Sequence, residues 1–174
     1  TFTDVQASTY YYDAVTSLSD RNIISGYGNG KFGPQDAITR GQAAKIIVGV
    51  LDLATDTVIN PAFTDVAEDH MFYKQIAALK EANIITGYAD DNTFRPDQSI
   101  TRDEMAIILT RAFNLQKDES TATPFTDVSD YMKPYVAAIY THQITKGTTE
   151  TTFAGALDVS RAEAATFIYR AEQL

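Results

Sequence analysis

Three observations predict a mainly α-helical protein, built as three helix-loop-helix repeats packed into one pseudo-threefold body. The tetrapeptide Phe2-Thr3-Asp4-Val5 returns as Phe63-Thr64-Asp65-Val66 and Phe125-Thr126-Asp127-Val128, with starts 61 and then 62 residues apart. Self-similarity at a fixed period marks a repeat architecture. Behind each copy the apolar residues fall about three apart, the spacing of one helical face and not the alternation of a strand. A helix pair of ~50 residues buries too little apolar surface to stand alone, so units 1–62, 63–124 and 125–174 must pack on one another. With 44% hydrophobic and 21% charged residues, the 174-residue chain has the composition of a folded protein, not a disordered one.

The elements follow in order within each unit. A first helix runs roughly over 11–22 and carries Val15, Leu18 and Ile23. Its equivalents start at Phe72, with Ile76, Leu79 and Ile84, and at Tyr135, with Val136, Ile139 and Ile144. Gly26, Gly87 and Gly147 suit the stop of that helix, where a positive φ costs glycine little. An extended loop then carries Phe32, Phe94 or Phe153. The second helix begins at Thr39-Arg40-Gly41-Gln42, Thr101-Arg102-Asp103-Glu104 or Ser160-Arg161-Ala162-Glu163. Thr or Ser followed three residues later by Gln or Glu is the capping box, in which two side chains satisfy amides at a helix start. Polar linkers are expected at 54–62 and 116–124, and the three first helices are expected to bundle together at the centre.

Charge and composition exclude several functions. The net charge is −9 and the pI near 4.5, and no basic patch stands out to track nucleic-acid phosphates. The longest apolar run, 46–51, is far short of the ~20 residues that span a bilayer, so no membrane insertion is expected. The stretch after Thr1 lacks the basic start and apolar run of a signal peptide, which carries no weight for a mature chain or a fragment. Without cysteine there is no disulfide or thiol chemistry. His70 and His142 stand isolated, and Asp90-Asp91-Asn92 lacks calcium-loop spacing and reads as a polar turn. No nucleophile–base arrangement can be recognised, so no catalytic residue, metal or cofactor is expected.

The order Phe-x-Asp-Val, amphipathic helix, Gly turn, Phe-x-Pro loop and Thr-Arg-x-Glu helix resembles the S-layer homology (SLH) domain. The Phe-x-Pro part stands as Phe32-Gly33-Pro34 and Phe94-Arg95-Pro96, and three tandem copies cover essentially the whole chain. The resemblance implies a three-pronged spindle whose inter-repeat grooves hold a glycan terminus. It also implies non-covalent anchoring of surface-layer and other exported proteins to secondary cell-wall polysaccharide. In Gram-positive bacteria that glycan commonly ends in pyruvate-ketal-modified N-acetylmannosamine. On this reading the chain is a secreted, monomeric module of a larger surface protein, located in the cell wall or S-layer. A structural protein–protein module that assembles with its own kind is the alternative, and a cell-wall hydrolase a distant third. The chain departs from the pattern at the aromatic slot before the first helix, which holds Tyr10, Met71 and Tyr131. It departs also at Phe153-Ala154-Gly155, which lacks the proline, and at Gly41-Gln42, where Ala-Glu is commoner.

Arg40, Arg102 and Arg161 are the sharpest candidates for ligand contact. Each opens a helix, where a cation opposes the macrodipole and local physics favours an acid. A guanidinium fork beside free helix-start amides makes a carboxylate receptor, and a pyruvate ketal supplies the carboxylate. The competing reading is an ion pair with Asp4, Asp65 or Asp127. Those aspartates can alternatively cap turns, orient the arginines or touch glycan. Gln42, Glu104 and Glu163 read as caps. Gly26, Gly87 and Gly147 are either helix stops or places where a sugar meets bare backbone. Tyr10 and Tyr131 either stack on a sugar face or plug the core, and Met71 in the same slot favours the core. Lys146 adds a cation to one groove or is simply solvated.

The units differ in charge. Residues 63–124 hold six Lys/Arg against eleven Asp/Glu, whereas each of the other two units holds four against six. With Met71 also in that unit, Arg40→Ala or Arg161→Ala is expected to cost more affinity than Arg102→Ala. Calorimetry of the three variants against one pyruvylated ligand tests that ranking, and it fails if Arg102→Ala alone abolishes binding.

Overall fold

The computed structural model describes residues 1–117 and 119–174; position 118, in the second linker, lies outside the described residues. The described residues form helices α1 (Tyr12–Asp20), α2 (Arg40–Leu51), α3 (Tyr73–Glu81), α4 (Arg102–Ala112), α5 (Lys133–Thr141) and α6 (Arg161–Glu172). None of them is long and apolar enough to cross a membrane. The starts of α2, α4 and α6 follow from capping chemistry. Thr39, Thr101 and Ser160 accept from the third helical amide, and the side chains of Gln42, Glu104 and Glu163 accept in return from the cap amide.

The first helices stop differently from the expectation. Asn22, Asn83 and Gln143 take the left-handed conformation at φ 58°, 58° and 59°. The amides of Ile23, Ile84 and Ile144 reach back five residues to the carbonyls of Leu18, Leu79 and Ile139, each at 2.9 Å. This is the Schellman closure. Gly26, Gly87 and Gly147 are therefore not the stops, for they lie four residues further on.

Helix packing crosses repeat boundaries. α3 packs on α2, α5 on α4 and α1 on α6, while α6 also touches α2 and α4. The second helices gather at the centre, and the first helices lie outside them, which corrects the expected bundle of first helices. The reason lies in burial: Ala43, Ala44, Ile47, Ala106, Leu109, Ala164, Ala165 and Ile168 give the second helices a broad face of small and branched side chains. The segments entering those helices close the middle. The Ile38 amide donates to Val159, Val159 to Ile100 and Ile100 back to Ile38, at 3.0, 2.9 and 3.1 Å, with all three side chains buried. The two ends of the chain meet as well, where Arg21 forms an ion pair with Glu172.

Since each helix pair takes its members from two units, isolated units have no partner for their apolar faces. Urea denaturation is expected to show one transition for the whole chain, and a peptide of residues 1–62 to show no cooperative unfolding by circular dichroism. Ile100→Ala is expected to destabilise the whole by about 2–5 kcal/mol.

Candidate functional site

The site is built upward from the repeated tetrapeptide. Asp4 accepts from the Phe32 and Gly33 amides at 2.8 and 2.9 Å. Asp65 accepts from Phe94 and Arg95 at 2.8 and 2.7 Å, and Asp127 from Phe153 and Ala154, both at 2.8 Å. Burial works against the Asp4 carboxylate, yet the Phe32 and Gly33 amides together hold it below its ordinary range. At Asp127 the Phe153 amide leads, burial opposes it, and the Ala154 amide completes a shift in the same direction.

The loop pinned in this way offers its phenylalanine carbonyl to an arginine of another repeat. Phe32 accepts from Arg161 Nε at 2.9 Å, and Phe94 and Phe153 accept from Arg40 and Arg102 Nε at 2.8 Å. The aspartates thus orient the arginines through one intervening residue. They form no ion pair with them among the described residues, contrary to one of the expectations. All three arginines are buried. The Arg161 guanidinium lies 5.0 and 4.6 Å from the Tyr27 and Phe32 ring centroids, and Arg40 lies 4.8 and 4.7 Å from Tyr88 and Phe94. Arg102 meets Phe153 and Phe167 at 4.9 and 5.5 Å. Ring faces favour a cation in this geometry.

The counter-charges are unequal. Arg40 pairs with Glu104 and Arg102 with Glu163, so these two glutamates both cap a helix and neutralise a neighbour's cation. The third position in the cycle is Gln42. Arg161 Nη2 donates to the Ser25 carbonyl at 2.8 Å, and no carboxylate among the described residues pairs with it. Burial pulls the Arg102 guanidinium below its ordinary value against the pull of Glu163, and burial likewise pulls Arg40 down.

The helix-start amides expected to receive ligand are already occupied. The Arg40 and Gly41 amides donate to Gln98 and Pro96, Arg102 and Asp103 to Leu157 and Gly155, and Arg161 and Ala162 to Asp36 and Pro34, all within 3.0 Å. Only side chains remain free to meet a ligand there. The glycines are explained by close approach. At Gly87, φ is 71°, and an added Cβ would lie 2.3 Å from the Phe63 ring and 2.7 Å from the Thr93 carbonyl. Gly147 repeats this with Phe125 and Thr152; Gly26 repeats the contact with Phe2 and Lys31 without the positive φ.

The aromatic slot is a surface feature. Tyr10, Met71 and Tyr131 are 62%, 78% and 67% exposed, and the residues after them, Tyr11, Phe72 and Met132, enter the core instead. The core reading of Met71 is thereby corrected: its side chain stands at the surface, and the core position is taken by Phe72. Met71 lines a groove of about 200 Å³ with Arg161, Tyr27, Gln42 and Lys45. Tyr131 lines a groove of about 160 Å³ with Arg40, Tyr88, Glu104 and Arg111. Tyr10 stands near Arg102: burial and then the Glu163 charge push its hydroxyl up, with Arg102 opposing. Met71 therefore accompanies Arg161 and not Arg102, so the part of the expected penalty on Arg102 that came from Met71 falls away.

The remaining candidates have local roles. His70 Nδ1 accepts from the Phe72 amide at 3.1 Å, and His142 Nδ1 lies 2.8 Å from the Ala138 carbonyl. Asp91 accepts from Thr93 and pairs with Arg95 in a turn. Lys146 is exposed. Among the described residues no three His, Asp or Glu side chains gather to hold a metal. Sequence reasoning missed Tyr27, Tyr88 and Lys45, although Gly-Tyr recurs at 26–27 and 87–88.

Residues 1–44, 62–106 and 124–165 each match the S-layer homology domain. The chain belongs to the SLH domain family. It is 34% identical over 169 residues to an S-layer protein of Bacillus licheniformis, covering 96% of this chain and 19% of that one. It is 36% identical over 143 residues to the surface-layer 125 kDa protein of Lysinibacillus sphaericus, covering 80% and 12%. An amylopullulanase of Thermoanaerobacterium thermosulfurigenes matches at 32% over 176 residues, or 97% and 9%. This SLH chain thus spans a fifth or less of the length of those relatives.

The pinned loops set a pH dependence. Asp4 and Asp127 have depressed values when folded, so their stabilisation is complete above the unfolded carboxylate pKa of ~3.9. It is lost as pH falls through the lower folded values. Asp103, pushed up by burial and by Asp127, works in the opposite sense. Asp127→Ala is expected to cost about 1–3 kcal/mol at pH 7, because it leaves the Phe153 and Ala154 amides unpaired. The deficit should shrink as pH drops below ~4, read by denaturant titration at each pH. Gly87→Ala should destabilise by about 1–3 kcal/mol from its φ alone.

Proposed function

We propose that this SLH chain anchors a larger surface protein non-covalently to the cell wall by holding an anionic terminus of secondary cell-wall polysaccharide between repeats. The terminus is a pyruvate-ketal sugar. The observation that carries the reading is the buried arginine lining a surface groove, fixed by a neighbour's carbonyl and ring faces before any ligand arrives. A guanidinium whose orientation is already fixed loses little freedom on binding a carboxylate, and its fork matches two oxygens. The exposed Tyr10 and Tyr131 offer ring faces to the apolar side of a pyranose.

The comparisons support a portable, non-catalytic role. Nearly the whole chain aligns with a small part both of S-layer proteins and of an amylopullulanase and an exoglucanase from Acetivibrio thermocellus. A segment shared by such different proteins fits a role independent of their chemistry, and on this reading that role is attachment to the cell surface. The location is the cell wall or S-layer.

Calorimetric titration with a pyruvylated wall glycan is expected to show binding that weakens by about 1.5–3 kcal/mol when the pyruvate is removed, the scale of a charged hydrogen bond. Equal binding of the two glycans would refute carboxylate recognition. Sedimentation with purified walls should fail once the secondary polysaccharide is stripped; retention would favour a protein or peptidoglycan partner.

A further inference from the structure

The three arginine seams share one plan and differ in what faces the guanidinium. In two of them the arginine already has its carboxylate: Glu104 sits on Arg40 and Glu163 on Arg102. The Tyr88 hydroxyl donates to the same Glu104 oxygen at 2.9 Å, which ties that carboxylate further into place. An incoming anion would have to displace it or share its cation, and two like charges at one guanidinium repel. In the third groove the equivalent residue is Gln42, which keeps the helix cap and brings no charge. The facing acid, Asp36, accepts from the Tyr27 hydroxyl at 2.6 Å and makes no ion pair with Arg161. Lys45 lines this groove too, at the position held by Ile107 and Thr166 in the other repeats. Its walls thus carry two cations and no carboxylate.

Resting on the reading that the ligand is an anionic sugar terminus, we propose that this chain has a single charge-open site, the Arg161 groove. The two ion-paired grooves are seams between repeats. The site takes one carboxylate-bearing terminal sugar, with the carboxylate on Arg161 and Lys45 placed as its second cationic contact. At about 200 Å³ the groove is smaller than the ~300–1,000 Å³ clefts of drug-sized ligands, which suits one terminal residue and not a length of chain. Met71 stands here where Tyr131 stands in the Arg40 groove, which leaves Tyr27 as the exposed ring beside Arg161. This reverses the expectation that the groove holding Met71 is the weakest.

The test uses the whole chain and the methyl glycoside of pyruvate-ketal-modified N-acetylmannosamine in a calorimeter. One equivalent is expected per chain. Gln42→Glu should weaken binding at least tenfold, because it installs the carboxylate that closes the other grooves. Its fold is safeguarded, since Glu already caps α4 and α6 at that position. Glu104→Gln should open the Arg40 groove and raise the count to two, with Gln42 showing that Gln caps equally well. Lys45→Ala should weaken binding several-fold and flatten its salt dependence. Three equivalent sites in the wild type, or a Gln42→Glu variant that binds as well as the wild type, would overturn the single-site inference and leave the anchoring function standing. Absence of any pyruvate-dependent binding would overturn the proposed ligand, and this inference with it.

Discussion

The first amides of a helix need acceptors, and for α2, α4 and α6 these come from elsewhere in the chain. The cap side chain serves the third amide. The first and second donate to loop carbonyls of another repeat, as Arg40 and Gly41 do to Gln98 and Pro96. The loops that supply those carbonyls are held by the aspartates of their own repeat. Each second helix therefore starts correctly only where a neighbouring repeat is already in place. The ring of Ile38, Ile100 and Val159 amides is the same dependence seen at the axis.

That dependence also explains why a cation opens each second helix. The macrodipole disfavours it, but the arginine is stationed there for its reach: Nε meets a carbonyl and the guanidinium plane meets a ring in the adjoining repeat. In two seams the charge is then cancelled by a glutamate that already belongs to a capping box. In the third the substitution of an amide for the acid leaves the cap intact and the charge uncancelled. Structure and the proposed recognition thus share one residue position, where an amide in place of an acid sets the third seam apart from the other two.

The repeat, the second helices with their caps and the arginines were legible in the sequence because each is a local pattern of fixed spacing. The swapped packing was not, since both helices of a unit are amphipathic and the pattern does not name the partner. Asn22, Asn83 and Gln143 concealed the stop of the first helices, because glycine nearby is the commoner left-handed residue. The helix-stop reading of Gly26, Gly87 and Gly147 failed for the same reason; contact with Phe2, Phe63 or Phe125 accounts for glycine there. The buried and exposed members of Tyr10-Tyr11, Met71-Phe72 and Tyr131-Met132 cannot be ordered by composition, as either residue could enter a core. Gln42 was visible as a departure, but its meaning required the knowledge that Glu104 and Glu163 reach across a boundary.

The seating of α1 on α6 has a mechanical meaning. An attachment module works under tension, where survival is set by how fast it yields and not by its equilibrium stability. Peeling α6 strips α1 of its seat, and the reverse holds as well. In the anchoring role proposed above, a load that reaches either helix is therefore carried by both.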